Sequence, residues 1–226
     1  MIEYFVNELK VPKPSKFWLL STPFCGITDF FRGLKGASLD LRRHYSEVKE
    51  AVKALAEHDG LDAAIESIKE PVPDNCIFGV SHVELAHSIC NNKQWAELYW
   101  PYFEKMLKNC QESNSQMHLF SEAEVLRFAD FFQDLSKGLL MIQPEADDVF
   151  EMRKRLPNVA ICGGMKPEHL GKKSKEECLD YARKLISEIG ADGGFVMGQT
   201  KMMSYRTDAK SENIIAVQEL CKNYRG

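Results

Sequence analysis

The last third of the chain alternates short apolar runs with amphipathic helices. Residues 158–162 (NVAIC) form the first apolar run. Ser174 and Glu177 then have the spacing of a capping box, which predicts the start of a helix. A second apolar run at 194–197 and a final helix over about 210–224 follow. Strand, helix, strand, helix with short connections predicts a parallel sheet whose strands are buried on both faces.

The same alternation extends upstream, so we count six strand–helix units in one domain over residues 1–226. The four upstream strands are expected at 17–20, 76–80, 116–120 and 138–142, and helices at 2–10, 39–58, 61–69 and 93–111. This predicts an α/β fold of the (β/α)8 TIM-barrel type that is two units short. An open doubly wound sheet, a partner that fills the gap, or a longer parent chain would each account for the shortage. We expect the longer chain.

The composition argues against several classes of function. The 226 residues carry a net charge of −4 with a pI near 5.9, so we expect no nucleic-acid or anionic-membrane partner. No apolar run approaches the roughly 20 residues that cross a bilayer. Acidic residues near Met1 do not fit a secretory signal. Seven cysteines without a Cys-x-x-Cys pair favour reduced thiols in a cytoplasmic protein.

Several short motifs occur in a defined order along the chain. They are WLLSTP at 18–23, WPY at 100–102, LG at 170–171, GGFV at 193–196 and EN at 212–213. Together they resemble the uroporphyrinogen decarboxylase superfamily, which also contains methyltransferases that move methyl groups between corrinoid proteins and thiols. The resemblance covers nearly the whole chain. It implies a (β/α)8 barrel of which this chain supplies the last six units.

The resemblance implies methyl transfer with a corrinoid protein as the methyl donor, but the family's zinc ligands are mostly replaced. The thiol methyltransferases hold zinc with a His-x-Cys pair and a later cysteine near the last strand. Here His118 stands at the first position and Phe120 at the second, and residues 195–201 contain no cysteine. A zinc site needs at least three protein donors, so we expect none from this chain alone.

Two other functions stay open. The superfamily also implies a tetrapyrrole (uroporphyrinogen) decarboxylase, although the arginine-bearing segment that grips substrate carboxylates in those enzymes has no counterpart here. An incomplete barrel with an eroded zinc site also fits a non-catalytic binding or partner subunit, as a homo-oligomer or bound to a longer chain. The expected ligand of either enzyme is a small molecule or a tetrapyrrole.

We expect the site at the carboxyl ends of the strands, where barrels carry their ligands. His118 is expected at the end of strand three, as the catalytic residue that shuttles a proton. A histidine that is only hydrogen-bonded is the alternative. Contacts to substrate are expected from Ser81, His82, Glu84, Gln143, Glu145, Met197 and Gln199.

Most of these residues have a structural alternative. The segment from Ser81 to His87 could be a solvated loop. If it were helical, Glu84 and His87 would share one face, as in metal sites that need a second Glu-x-x-His, which the chain lacks. Glu145 stands where a carboxylate stabilises the start of the next helix, and Met197 could be ordinary packing. We therefore assign no metal ligands. One common hollow is expected to contain His82, His118, Gln143 and Gln199.

Overall fold

The computed structural model describes residues 18–58 and 78–224, together with Asn7. Within these ranges, six parallel strands form one sheet in which each strand pairs with its neighbours in the chain. The strands are β1 (Trp18–Leu19), β2 (Val80–Glu84), β3 (Met117–Ser121), β4 (Leu140–Pro144), β5 (Ala160–Met165) and β6 (Phe195–Gln199). The predicted α/β class with a parallel sheet is confirmed. The sequential strand order differs from that of a doubly wound sheet.

Helices connect the strands. The α-helices are α1 (Pro23–Gly26), α2 (Gly33–Arg43), α3 (Tyr45–His58), α4 (Asn92–Gln94), α5 (Trp100–Glu112), α6 (Val149–Arg155), α7 (Pro167–Lys172), α8 (Lys175–Ile189) and α9 (Ser211–Asn223). Further segments are π-helical (Ile27–Arg32 and Trp95–Tyr99) or 3₁₀-helical (Ala86–Ile89 and Leu126–Phe132). The predicted capping box is present, because the Ser174 hydroxyl accepts from the Glu177 amide and the Glu177 carboxylate accepts from the Ser174 amide.

Five strands end later than their apolar runs suggested, and β2 differs most. It was expected at 76–80, but it begins at Val80 and continues to Glu84. The polar residues do not end the strand, because β3 continues to pair with it as far as Ser121. The prediction of a loop or helix from Ser81 was therefore wrong. His118, expected at the end of its strand, is the second residue of β3.

Strand residues alternate between two faces of the sheet, which differ in burial. We call the first the helix face; its residues are fully buried and include Val80, His82, Glu84, Met117, Leu119, Ser121, Leu140 and Ile142. We call the second the open face; on β1 to β4 it consists of Leu19, Ser81, Val83, His118, Phe120, Met141 and Gln143. Leu19 is 68% exposed and Val83 40% exposed. On β1 to β4, the solvent-exposed strand residues therefore lie on the open face.

The expected helix at 61–69 lies outside the described residues, as does the one at 2–10 except for Asn7. Residue 17 of strand one and residues 76–77 of strand two are also outside them. The helix expected over 39–58 is divided in two at His44. None of the described helices combines the length and the apolar character that a bilayer crossing requires. The six cysteines within the described ranges are free thiols.

Candidate functional site

The pairing register brings Ser81 and His118 together on the open face. Ser81 of β2 lies directly opposite His118 of β3, and Phe120 lies opposite Gln143 of β4. Because paired residues in a parallel sheet point to the same side, these side chains share one face. Ser81 and His118 are both buried, whereas Gln143 is half-buried. The three polar groups therefore form a row that runs from the interior toward the carboxyl ends of the strands.

A continuous chain of hydrogen bonds joins these groups and determines which nitrogen of His118 carries a hydrogen. The side-chain nitrogen of Gln143 lies 3.0 Å from the backbone carbonyl of Gln199, which can only accept. The Gln143 oxygen is therefore the atom 3.2 Å from Nε2 of His118, and Nε2–H donates to it. In the neutral ring Nδ1 is then bare, so the Ser81 hydroxyl, 2.9 Å away, donates to Nδ1.

His118 is uncharged at neutral pH. Burial lowers the pKa of His118 below its usual value, and the hydrogen bond to Gln143 opposes that shift only in part. The Phe78 ring stacks on the imidazole with centroids 4.8 Å apart. His118 thus presents a fixed proton-accepting nitrogen to Ser81. This is the chemical state that a general base requires.

Charged residues surround the carboxyl ends of the same strands. Lys201, which follows β6, lies 3.8 Å from the Glu145 carboxylate and 3.5 Å from that of Glu168. Burial and the nearby charges of Glu145 and Asp29 raise the pKa of Glu122. We call Glu122, Glu145, Glu168 and Lys201 the rim. Lys201 and Glu168 also line an adjacent cavity of about 580 Å³.

Glu145 belongs to the rim and does not cap the next helix. Its backbone amide donates to the Ser121 carbonyl at 2.9 Å, which continues the pairing of β3 and β4. The cap of α6 is Asp148, whose carboxylate accepts from the Phe150 and Glu151 amides. The role at the start of the next helix, which was the alternative for Glu145, therefore belongs to Asp148. Its predicted contact with substrate stays a prediction.

The prediction that His82 shares a hollow with His118 was wrong. Because residues 81 to 84 form a strand, His82 points to the helix face, opposite to Ser81. Its Nδ1 lies 2.9 Å from the Leu20 carbonyl, and its ring packs against those of Tyr99 and Phe103, with both centroids 5.8 Å away. Burial lowers the pKa of His82 to about 4. His82 is a neutral core residue.

Glu84 also lies on the helix face, so it is not part of the row formed by Ser81, His118 and Gln143. Its Oε1 is 3.5 Å from Nδ1 of His87, and both side chains are fully buried. Burial raises the pKa of Glu84 well above its usual value, and interactions with Tyr99 and Arg127 oppose this only in part. Glu84 and His87 were expected to share a face only if the segment were helical. Their contact arises instead from the end of a strand and a 3₁₀ turn.

Met197 and Gln199 lie on the side of β6 that faces away from the open-face row. The pairing of Gly163 with Met197 and of Met165 with Gln199 places them there. Met197 lines a cavity of about 230 Å³ with Met203 and residues of α9. Gln199 contributes its backbone carbonyl to Gln143 instead of its side chain. Of the four side chains expected in one hollow, only His118 and Gln143 meet.

Within residues 18–58 and 78–224, no group of three or more His, Cys, Asp or Glu side chains is placed to hold a metal ion. His118, the one residue that matches a family zinc ligand, has both ring nitrogens in hydrogen bonds. The donors present on the open face therefore do not fit a zinc ion. Sequence reasoning also missed the Ser81–His118 bond. The predicted runs at 76–80 and 116–120 would pair residue 78 with His118, whereas the observed register is three residues later on β2 and pairs Ser81 with it.

Comparisons with known proteins show the fold. No family model matches the chain, and no curated protein matches its sequence. In structure the chain is similar to a methyltransferase from Methanosarcina mazei, with a TM-score of 0.60 and 10% sequence identity. The match covers 96% of this chain and 62% of that protein, so this chain spans about three fifths of its length.

Proposed function

We propose that this protein is an incomplete (β/α)8 barrel related to the uroporphyrinogen decarboxylase superfamily and that it acts in methyl transfer to a small acceptor. The motif order of the sequence and the likeness in fold to a methyltransferase support this proposal. The observation that carries it is the Ser81–His118–Gln143 chain, which provides a buried, uncharged base on the open face of the sheet. A corrinoid protein is the proposed methyl donor.

The proposed chemistry requires a nucleophile that loses a proton. An acceptor bound above Ser81 would donate its hydrogen to the free lone pair of the Ser81 oxygen, while the Ser81 hydrogen passes to Nδ1 of His118. The deprotonated acceptor then attacks the methyl carbon. The electron pair of the broken bond stays with the donor. No step passes through zinc, since the donors do not fit that ion.

Free methylcobalamin and a simple thiol such as 2-mercaptoethanol test the proposal. We expect methylated thiol by mass spectrometry, together with the absorbance change that accompanies loss of the cobalt-bound methyl group. His118→Gln should lower the initial rate by roughly 10²-fold, whereas Ser204→Ala, at an exposed position outside the row, should leave it unchanged. A rate unaffected by His118→Gln, or no transfer to thiol, alcohol or amine acceptors, would refute the proposal.

A non-catalytic partner subunit is the second candidate, and the edges of the sheet favour it. Within the described ranges, β1 and β6 each have a strand neighbour on one side only. Unpaired edges and an exposed Leu19 invite association. Light scattering that finds a single monomer over a wide concentration range would argue against a homo-oligomer. Co-expression with a longer homologous chain tests the other form of this candidate.

A further inference from the structure

Among the described residues, two serines of the sheet are hydrogen-bonded to a histidine, one on each face. On the open face, Ser81 donates its hydroxyl hydrogen to Nδ1 of His118 at 2.9 Å. On the helix face, Ser121 donates its hydroxyl hydrogen to the Ala123 carbonyl at 2.7 Å. Its oxygen therefore accepts from Nε2–H of His87, 3.3 Å away. Only Ser81 is bonded to a nitrogen that can remove its proton.

The Ser81 pair has the three parts of an activated nucleophile. A hydroxyl lies within hydrogen-bond reach of a base, and that base is oriented by a third group, Gln143. Gln143 is itself held by the Gln199 carbonyl, so the tautomer of His118 does not depend on solvent. A ring oriented in this way can take the serine proton without first changing its own protonation state.

The surroundings of Ser81 indicate what kind of molecule could reach it. The open face of β1 to β4 carries no charged side chain among its described residues. Leu19 and Val83, which flank Ser81 on that face, are exposed, and Phe120 is half-buried. An uncharged ligand with a short apolar chain would remove this surface from water. The rim carboxylates disfavour an anionic ligand at the carboxyl ends of the strands.

We propose that Ser81 is a nucleophile that accepts an acyl group from neutral aliphatic esters, an activity separate from methyl transfer. The Ser81 oxygen attacks the ester carbonyl carbon while its proton moves to Nδ1 of His118. The bond to the alcohol oxygen then breaks, and the leaving alcohol takes that proton. Water subsequently attacks the acyl-serine, which releases the carboxylic acid and restores the hydroxyl group.

Covalent labelling tests this directly, because the first step needs only the nucleophile and its base. The protein is incubated with p-nitrophenyl butyrate, and p-nitrophenolate release is followed together with the intact mass. Peptide mapping of the labelled protein without substitutions should place one butyryl group on Ser81. Ser81→Ala should abolish this label, and His118→Gln should slow labelling by roughly 10²-fold. The labelling rate should fall as the pH drops below the usual histidine range of about 6.5.

Ser121→Ala is the matched control, because it removes the other histidine-bonded serine; Ser204→Ala controls for an exposed hydroxyl. Both should label at the unmodified rate. Circular dichroism verifies the fold of each variant, and if Ser81→Ala does not fold, the mapped position in the unmodified protein decides. A butyryl group elsewhere, or labelling of Ser81 that His118→Gln does not slow, would overturn the proposal. A negative result in the methyl-transfer experiment alone would not contradict the proposal that Ser81 is acylated.

Discussion

The open face and the helix face differ in how completely their polar side chains are hydrogen-bonded. On the open face, three consecutive hydrogen bonds join Ser81, His118, Gln143 and the Gln199 carbonyl. On the helix face, both Glu84 oxygens and Nδ1 of His87 have no hydrogen-bond partner among the described residues. The same residue types thus form a connected row on one side and an incompletely paired cluster on the other.

A single proton on the Glu84 carboxyl group explains the contact between Glu84 and His87 on the helix face. His87 donates through Nε2 to Ser121, so in the neutral ring its Nδ1 is bare. A bare nitrogen 3.5 Å from the Glu84 carboxyl can only receive a hydrogen, and burial keeps that carboxyl protonated. Burial also lowers the pKa of His87 to about 4. The contact is therefore between neutral groups. Because Ser81 and His118 are buried as well, the comparison teaches that the completeness of hydrogen bonding, rather than burial, distinguishes the two clusters.

Two leucines offer the strongest way to break the comparison. Leu119 is fully buried on the helix face of β3, whereas Leu19 is 68% exposed on β1. Leu119→Ala should lower the free energy of unfolding by about 2–5 kcal/mol, because it removes buried methyl groups and leaves a cavity. Leu19→Ala should change it by less than about 0.5 kcal/mol. Urea unfolding monitored by circular dichroism measures both, and equal losses would refute the assignment of faces.

His82 predicts an acid sensitivity that originates on the helix face. Its pKa is lowered to about 4 in the folded protein because the ring is buried. As the pH falls from about 6.5 toward 4, the unfolded chain binds a proton that the folded chain does not, so stability is lost. The loss attributable to this ring is about 3 kcal/mol. His82→Gln can still donate a hydrogen bond to the Leu20 carbonyl, and it should reduce this loss of stability at acid pH. An unchanged pH dependence of unfolding would contradict the prediction.

Glu84 predicts the opposite pH dependence. Because burial raises its pKa in the folded state, its contribution to stability is complete below the unfolded pKa and is lost as the pH rises through the folded pKa. The slope is at most about 1.4 kcal/mol per pH unit. Glu84→Gln keeps a donor for His87 without an ionisable group, so its advantage over the unmodified protein should grow with pH. Glu188→Gln, at an exposed position, is the control. If the stability of Glu84→Gln relative to the protein without substitutions does not increase with pH, the explanation by a proton on Glu84 is refuted.

Periodicity and capping signals were sufficient to predict six strands along the chain and the start of the Ser174 helix. These signals are local: an apolar run of strand length, or a serine three residues before a glutamate. β2 was the difficult strand, because its carboxyl half is polar and its stability comes from pairing with β3 rather than from apolar side chains. A pattern of apolar residues alone cannot detect such a strand.

The faces of the side chains were harder to predict than the strands themselves. Since side chains alternate along a strand, an error of one residue in register moves a side chain to the other face. Ser81 and His82 were grouped as loop neighbours, yet they point to opposite sides. Gln199 reached the site through its backbone, which no side-chain pattern reveals. Ser81, His118 and Gln143 were all among the residues predicted for the site, but the hydrogen bonds that join them were not predicted, and their roles stay predictions.

Among the polar residues considered, Gln143 should have the smallest effect on stability. It gives the most direct test of the hydrogen-bond chain on the open face. Gln143→Leu removes one half-buried hydrogen-bond partner, so the free energy of unfolding should fall by about 0.5–1.5 kcal/mol. It should also slow butyrylation of Ser81 by roughly tenfold, because Nε2–H of His118 loses its acceptor and the ring can adopt the other tautomer. Gln143→Glu keeps an acceptor, and its negative charge should raise the His118 pKa. Labelling should then persist, with its pH profile moved upward. If Gln143→Leu and Gln143→Glu behave alike, Gln143 stabilises the open face without positioning His118.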